Sequence, residues 1–136
     1  MKAVVIHEFG GPEVLRVEDV PEPTAQPREV IVAVKATGVN PVDTYQRSGA
    51  QGYSPQLPFT PGIDAAGVVH AVGSEVTEFS PGDRVWVGGS VGGTYAQQCR
   101  CSVDQVHHLP SELSFQEGAC LFVNYVTAHR ALFQRG

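Results

Sequence analysis

A glycine-rich run from Gly88 to Gly93 follows a β-branched segment, and it is the first place where this sequence could bind a phosphate. Dinucleotide-binding turns need glycine at the third position of the motif and a helix after it, because the backbone must approach the pyrophosphate closely. Ser90 stands at that third position, and Thr94 and Tyr95 follow where a P-loop needs lysine and a hydroxyl residue. The run is therefore predicted to be a flexible hairpin loop.

Cysteine and histidine side chains form the second candidate site, because both residue types bind zinc. Cys99 and Cys101 point the same way if they lie on a strand, whereas the adjacent His107 and His108 point to opposite faces. No second cysteine pair and no histidine pair with zinc-finger spacing accompanies them. These side chains are predicted to be structural or surface residues, and Cys120 is predicted to be a small buried apolar residue within a helix.

The composition indicates a folded, acidic domain. The chain has 136 residues, of which 42% are hydrophobic and 17% charged, and this excludes disorder and suits one core. Nine Lys and Arg residues against fourteen Asp and Glu residues give a net charge of −5 without a basic run, so nucleic acid and membranes are not expected partners. The opening apolar run ends at His7, which is too short for a signal peptide or a membrane span. We expect a cytoplasmic protein with free thiols.

Strands are predicted to dominate, because fifteen glycines and ten prolines favour turns over long helices. Residues 2–7 and 13–20 are expected to pair as a hairpin, and the β-branched residues 29–37 are expected to form the central strand. Further strands are predicted at 63–72, with a bend or bulge, and at 84–87, 95–102 and 103–109.

Three segments carry helical signals. Asn40 and Pro41 are typical of a helix start, and Gly49 of its end. Residues 114–117 form a capping box, which predicts a helix from about residue 115, and residues 124–134 have the spacing of an amphipathic helix.

Two segments stand out, GVNPVDTYQRSG at residues 38–49 and LPFTPGIDAAG at residues 57–67. They closely resemble the zinc-independent quinone oxidoreductases (zeta-crystallin-like) of the medium-chain dehydrogenase/reductase superfamily. Shorter matches are FGGPEVL at 9–15, VG at 72–73, PGDRV at 81–85, GGTYA at 92–96 and YVTA at 125–128. The resemblance implies the family's N-terminal catalytic domain, which is mainly β with short helices and folds as a GroES-like, partly open β-barrel. Residues 1–122 would form this domain, and residues 123–136 would start a linker helix toward a Rossmann domain that this chain lacks.

The resemblance also implies a chemistry. Relatives pass hydride from NADPH to a quinone or another α,β-unsaturated carbonyl. Zinc-dependent relatives have a cysteine in place of Asn40 and Pro41, a Gly-His-Glu in place of residues 62–64, and a four-cysteine structural lobe, so no metal site is expected here. The complete protein would be a homodimer or homotetramer.

Four residues match functional positions of the family. Asn40, Tyr45 and Thr127 match positions near the nicotinamide, and Tyr45 and Tyr53 are the candidate catalytic residues. Tyr53 resembles a loop tyrosine that could deliver a proton to the product enolate. Each residue also has a purely structural alternative: Asn40 as an N-cap, Tyr45 as a packing residue, Tyr53 as a loop anchor and Thr127 bonded back to a helix carbonyl.

Two other functions stay open on the sequence alone. The first is a non-catalytic binding or scaffold module that keeps the barrel without a cofactor domain. The second is a co-chaperonin-like assembly subunit, which shares only the barrel with this chain.

Overall fold

The computed structural model describes residues 1–50 and 52–134 of the chain. These residues contain seven strands and three short α-helices. In chain order they are β1 (Lys2–Val5), β2 (Arg16–Asp19), β3 (Glu29–Thr37), α1 (Pro41–Ser48), β4 (Asp64–Val72), β5 (Arg84–Gly88), β6 (Gln98–Ser102), β7 (Val106–His108), α2 (Phe115–Gly118) and α3 (Thr127–Phe133). A π-helical segment, Leu121–Val126, leads directly into α3. Strands outnumber helices and the helices are short, which confirms the predicted mainly β fold with short helices.

Five antiparallel strands form the central sheet, in the order β6-β3-β4-β5-β7, and this sheet curls into a half-barrel. As predicted, β3 spans residues 29–37 and lies inside the sheet, and Val30, Ile31 and Val32 are buried in succession. The register between β3 and β4 shifts twice, which confirms the predicted irregularity of β4. The main core lies inside the curl and consists of Val30, Val32, Ala65, Val69, Phe79, Val85, Val87, Cys99, Cys101, Val103 and Val106.

The N-terminal hairpin also forms as predicted, because β1 pairs antiparallel with β2. It is joined to the rest of the fold by backbone bridges from Ala3 to Ala96 and from Ile6 to Phe59.

The last two predicted strands are shorter than expected. Residues 95–97 bond to β1, to Pro61 and to Val34, but they do not form a continuous strand, so β6 starts at Gln98. Val103–Gln105 form a 3-10 turn, because the Gln105 side chain accepts a hydrogen bond from the Ser102 N–H at 2.9 Å, and this leaves three residues for β7.

The first helix matches its prediction, whereas the C-terminal helices differ. The first, α1, begins at Pro41 and is ended by Gly49, whose φ of +67° is the left-handed conformation that glycine adopts easily. Ser114 caps α2 as expected, but α2 ends after four residues. The next helical segment starts at Leu121, three residues before the predicted start at 124, and Cys120 between the two helices is exposed, so its predicted burial is wrong.

The cysteines and histidines of β6 and β7 point as the strand geometry predicts. The sulfur atoms of Cys99 and Cys101 are 3.7 Å apart and both residues are buried. His107 stacks on Trp86, and His108 packs on Phe79 at the opposite face of the sheet. None of the helices in residues 1–50 and 52–134 has the length and apolarity that a bilayer crossing demands.

Candidate active site

Polar side chains gather where β3 ends, β4 begins and α1 starts. The buried polar residues of the described chain all belong to this group, although the surrounding core is apolar: they are Asn40, Asp43, Asp64 and Thr94. Thr37 and Tyr95 bond to them, and we call these six residues the polar cluster. Buried polar groups are costly unless they are hydrogen-bonded, so each contact in the cluster constrains the local structure.

Asp64, the first residue of β4, connects two separate elements through its carboxylate. Asn40 Nδ2 donates a hydrogen bond to Asp64 Oδ2 at 3.1 Å. The backbone N–H of Val123 donates to the same carboxylate, at 3.3 Å from Oδ1 and 3.4 Å from Oδ2. Val123 lies in the first turn of the π-helical segment, where N–H groups lack a partner within the helix and a negative charge is favourable.

Burial raises the pKa of the Asp64 carboxyl above its ordinary value, because the charged form loses water. The hydrogen bonds from Asn40 and Val123 act in the opposite direction and favour the carboxylate, whereas the nearby Asp43 adds to the increase. Asp64 is 1% exposed, so these two donors largely replace the water that its carboxylate would otherwise bind.

Asp43 holds the start of α1 in place. Its Oδ2 accepts hydrogen bonds from the Asn40 backbone N–H at 2.8 Å and from the Tyr95 hydroxyl at 3.0 Å. Burial, followed by the charge and hydrogen bond of Asp43, raises the pKa of Tyr95, so its hydroxyl stays protonated and acts as a donor. The Asp43 carboxylate thus fixes the N-terminus of α1, and Tyr95, in the loop before β6, holds that carboxylate in place.

Two threonines and a glycine complete the surroundings of Asp64. The hydroxyl oxygens of Thr37 and Thr94 lie within hydrogen-bond distance of the Asp64 backbone oxygen, at 2.8 and 3.1 Å, and 2.8 Å from each other. A Cβ at Gly38 would lie 2.8 Å from the Ala119 carbonyl oxygen and 3.1 Å from Asp64 Cβ. Only glycine lets the chain pass between β4 and the end of α2 at this point.

The structure brings the two candidate catalytic tyrosines together. Tyr45 lies on α1 and Tyr53 in the loop that follows, and their ring centroids are 5.5 Å apart with planes inclined by 50°. Both residues are about half exposed, at 46% and 44%.

Thr127, the first residue of α3, is exposed and lies four residues after Val123 on the same continuous helical stretch. Asn40, the N-cap of α1, is connected to that stretch through the Asp64 carboxylate. Asn40 and Thr127, two of the residues predicted to face the cofactor, therefore belong to elements that one buried side chain links. The functional roles of Asn40, Tyr45, Tyr53 and Thr127 stay predictions.

Sequence reasoning missed Asp64 and Tyr95 as members of the cluster, and it treated Asp43 only as a first-turn acid. A signal for Asp64 was present, since it is an acidic residue next to the apolar run Ala65 to Val69, where a carboxylate is rarely buried without partners. The partner of Tyr95 could not be found in this way, because Asp43 is 52 residues away in the sequence.

The donor set of the cluster does not resemble a zinc site. Asp43 and Asp64 are the carboxylates at this place, and each already accepts hydrogen bonds. Within residues 1–50 and 52–134, no three His, Cys, Asp or Glu side chains are grouped so that they could hold a metal ion.

Comparison with known proteins gives a consistent result. The family model described as the alcohol dehydrogenase GroES-like domain matches residues 26–132. The chain is 49% identical over 133 residues to the quinone oxidoreductase of Lama guanicoe, covering 97% of this chain and 40% of that protein.

Solved structures agree with the sequence comparison. Quinone oxidoreductase from Pseudomonas syringae pv. Tomato has 38% identity and a TM-score of 0.93, over 98% of this chain and 41% of that one. Quinone oxidoreductase from Escherichia coli, solved in complex with NADPH, has 35% identity and a TM-score of 0.94, over 99% and 41%. The expected GroES-like fold and the similarity to quinone oxidoreductases are confirmed, and the chain spans about 40% of the length of these relatives.

Proposed function

The chain belongs to the alcohol dehydrogenase GroES-like domain family, and from that premise we propose that it is the substrate-side domain of an NADPH-dependent reductase that transfers hydride to a quinone or an enone without zinc. The similarity to quinone oxidoreductases supports the reaction class. Support for NADPH comes from the Escherichia coli relative, which was solved with that cofactor.

The Asn40–Asp64 hydrogen bond is the observation that carries the zinc-independent part of the proposal. Zinc-dependent members place a cysteine and a Gly-His-Glu at the corresponding positions, and zinc prefers thiolate and imidazole ligands. Here Asn40 stands at the cysteine position, Ile63 at the histidine position and Asp64 at the glutamate position, and the Asn40 amide donates to the Asp64 carboxylate at 3.1 Å. An asparagine amide is a poor substitute for a thiolate, so these residues do not fit a catalytic zinc ion.

The side chains predicted to face the cofactor suit the nicotinamide end of NADPH. Asn40, Tyr45 and Thr127 supply an amide, a phenol and a hydroxyl, which can donate to and accept from a carboxamide. When bound, NADPH supplies the hydride, and these side chains would bind and orient its ring.

The two tyrosines would stabilise and protonate the acceptor as it is reduced. Negative charge builds on the carbonyl oxygen of the acceptor as hydride arrives, and a neighbouring phenol can donate a hydrogen bond to that oxygen. Tyr45 and Tyr53 are both about half exposed. Tyr53 then gives its proton to the enolate, and its phenolate takes a proton back from water, which reaches the half-exposed side chain.

We further propose that residues 1–122 form the catalytic domain and that residues 123–136 begin the link to a cofactor domain; residues 51, 135 and 136 of these ranges lie outside the described residues. The helical stretch from Leu121 through Phe133 supports this, because Tyr125, Leu132 and Phe133 are 66–75% exposed and would be covered by further protein. The complete protein is proposed to act in the cytoplasm as a homodimer or homotetramer, and small quinones or enones are its proposed substrates.

Acceptor-dependent oxidation of NADPH by the complete gene product tests the proposal. The protein is dialysed against a chelator, assayed with benzoquinone, phenanthrenequinone and a simple enone, and then assayed again after zinc is added. We expect oxidation that depends on the acceptor and does not change with zinc. Absence of any acceptor-dependent oxidation would favour a binding or scaffold module, and activity that zinc restores would contradict the metal-free mechanism.

A further inference from the structure

Asp64 is the one side chain of the described cluster that bonds to both helical elements of the proposed nicotinamide site. Its carboxylate accepts from the Asn40 amide before α1 and from the Val123 N–H in the segment that continues into α3. The backbone of Asp64 is held as well, because the hydroxyls of Thr37 and Thr94 lie within hydrogen-bond distance of its carbonyl oxygen. It therefore joins three parts of the chain at a fixed point of the sheet.

Burial of a carboxylate at this position is energetically unfavourable. Asp64 is 1% exposed and lies beside the buried Asp43, and both facts oppose its charged form. An asparagine of the same shape would avoid the charge, but it has only one oxygen. Its amide group would have to face either Asn40 Nδ2 or the Val123 N–H, which are both donors. A carboxylate accepts from both donors without placing an amide N–H against either of them.

We propose that Asp64 is a positioning residue for the nicotinamide site, whose carboxylate sets the Asn40 amide and the helix bearing Thr127 at a fixed separation. This inference rests on the proposed function, because it assigns Asn40 and Thr127 to the cofactor. Asp64 acts through these two residues and does not itself touch the cofactor. Its removal would loosen two contacts to the nicotinamide together, although no contact of Asp64 with NADPH is lost.

The matched variants are Asp64→Asn and Asp104→Asn, made in the complete protein. Asp104 has an 81% exposed side chain, so its substitution controls for loss of a negative charge. Equilibrium binding of NADPH is measured by nicotinamide fluorescence without acceptor, and KM and kcat are measured with benzoquinone. We expect Asp64→Asn to raise the NADPH Kd and KM by about tenfold or more and to leave the quinone KM unchanged, because a hydrogen bond to a charged group is lost.

Hydrogen exchange in the protein without cofactor provides a second readout. The Val123 amide should exchange faster in Asp64→Asn than in the parent or in Asp104→Asn, because its acceptor is weakened. A double-mutant cycle with Asn40→Ala then tests whether Asp64 acts through Asn40. The effects of the two substitutions on NADPH Kd should be clearly less than additive, since each removes the same contact.

The outcomes separate this inference from the proposed function. A parent protein without NADPH-dependent activity would refute the function, whatever the variants do. An active parent whose Asp64→Asn variant binds NADPH normally, and shows only lower thermal stability or a smaller active fraction, would overturn the positioning role. If Asp64→Asn does not fold, Asp64→Glu replaces it, because glutamate keeps both acceptors while displacing the Asn40 amide. Failure of both variants to fold would mark Asp64 as a structural residue and refute the inference.

Discussion

Asn40 Nδ2 and Asp64 Oδ2 lie 3.1 Å apart, and this hydrogen bond joins the N-cap of α1 to the first residue of β4. An N-cap uses only a side-chain oxygen, a role that serine, threonine or aspartate could also fill. The amide nitrogen of Asn40 is engaged by Asp64 instead. The N-cap role alone therefore does not account for asparagine at this position, whereas a partner for a buried carboxylate does.

Stability should depend on pH through Asp64. Its pKa is raised in the folded protein, mainly by burial, so the folded state holds this proton at pH values where the unfolded chain has released it. The contribution of Asp64 to stability is then fully present below the ordinary carboxyl pKa of about 4 and is lost as pH rises through the higher folded value. Urea unfolding of the parent and of Asp64→Asn between pH 4 and 7 checks this. The parent should lose stability relative to the variant as pH increases, and parallel curves would contradict the raised pKa.

A pair of glycine substitutions tests the packing of the polar cluster. Gly62 and Gly82 have φ values of +102° and +100°, so alanine is strained equally at both. A Cβ at Gly62 would clash with the Thr94 hydroxyl and come within 2.5 Å of the Tyr95 ring, whereas nothing lies within 4 Å of a Cβ at Gly82. Gly62→Ala should therefore cost about 1–3 kcal/mol more than Gly82→Ala in the free energy of unfolding. Equal losses would mean that the cluster is looser than the structure indicates.

The three cysteines should react at very different rates. Cys120 is exposed, whereas Cys99 and Cys101 are buried and their sulfur atoms are in contact at 3.7 Å. The hydrogen bond with Cys99, together with burial, raises the pKa of the Cys101 thiol and disfavours the reactive thiolate. Iodoacetamide followed by peptide mass spectrometry should show Cys120 modified at least about tenfold faster than the pair. In denaturant all three should react alike, and equal rates in the native protein would place the pair at the surface.

Removal of the Tyr53 hydroxyl tests its proposed proton transfer. Tyr53→Phe keeps the ring that packs near Tyr45, so folding and the NADPH Kd should not change. The kcat for an enone should decrease by about a hundredfold, which is typical for the loss of a general acid. Tyr125→Phe is the control, because Tyr125 is also exposed but lies on a different element, the π-helical segment. A kcat equal to that of the parent would make Tyr53 a loop anchor only.

Much of the fold could be predicted because its signals are local. The β-branched residues of β3 and the Asn40, Pro41 and Gly49 pattern of α1 gave the right boundaries, since propensity and capping act over a few residues. The capping box at Ser114 also placed the start of α2 correctly. The positions of Tyr45 and Tyr53 near each other follow from their closeness in sequence.

The polar cluster could not be predicted, because its contacts join distant parts of the chain. Asp64 is 24 residues from Asn40 and 59 from Val123, and Tyr95 is 52 from Asp43. The early start of the C-terminal helix has the same origin. The Val123 N–H has its acceptor on β4, so the first turn forms without a local cap. The spacing of apolar residues in 124–134 carries no information about that long-range contact.

Isotope transfer tests the central claim most directly. The complete protein is given an enone and NADPH carrying deuterium at C4 of the nicotinamide ring, in separate samples labelled on each face, and the product is analysed by mass spectrometry. The proposed reaction predicts one deuterium on carbon in the reduced product from one of the two labelled samples, with the second hydrogen coming from water. A reduced product without deuterium from either sample, or no reduction of quinone or enone at all, would contradict hydride transfer to a conjugated carbonyl.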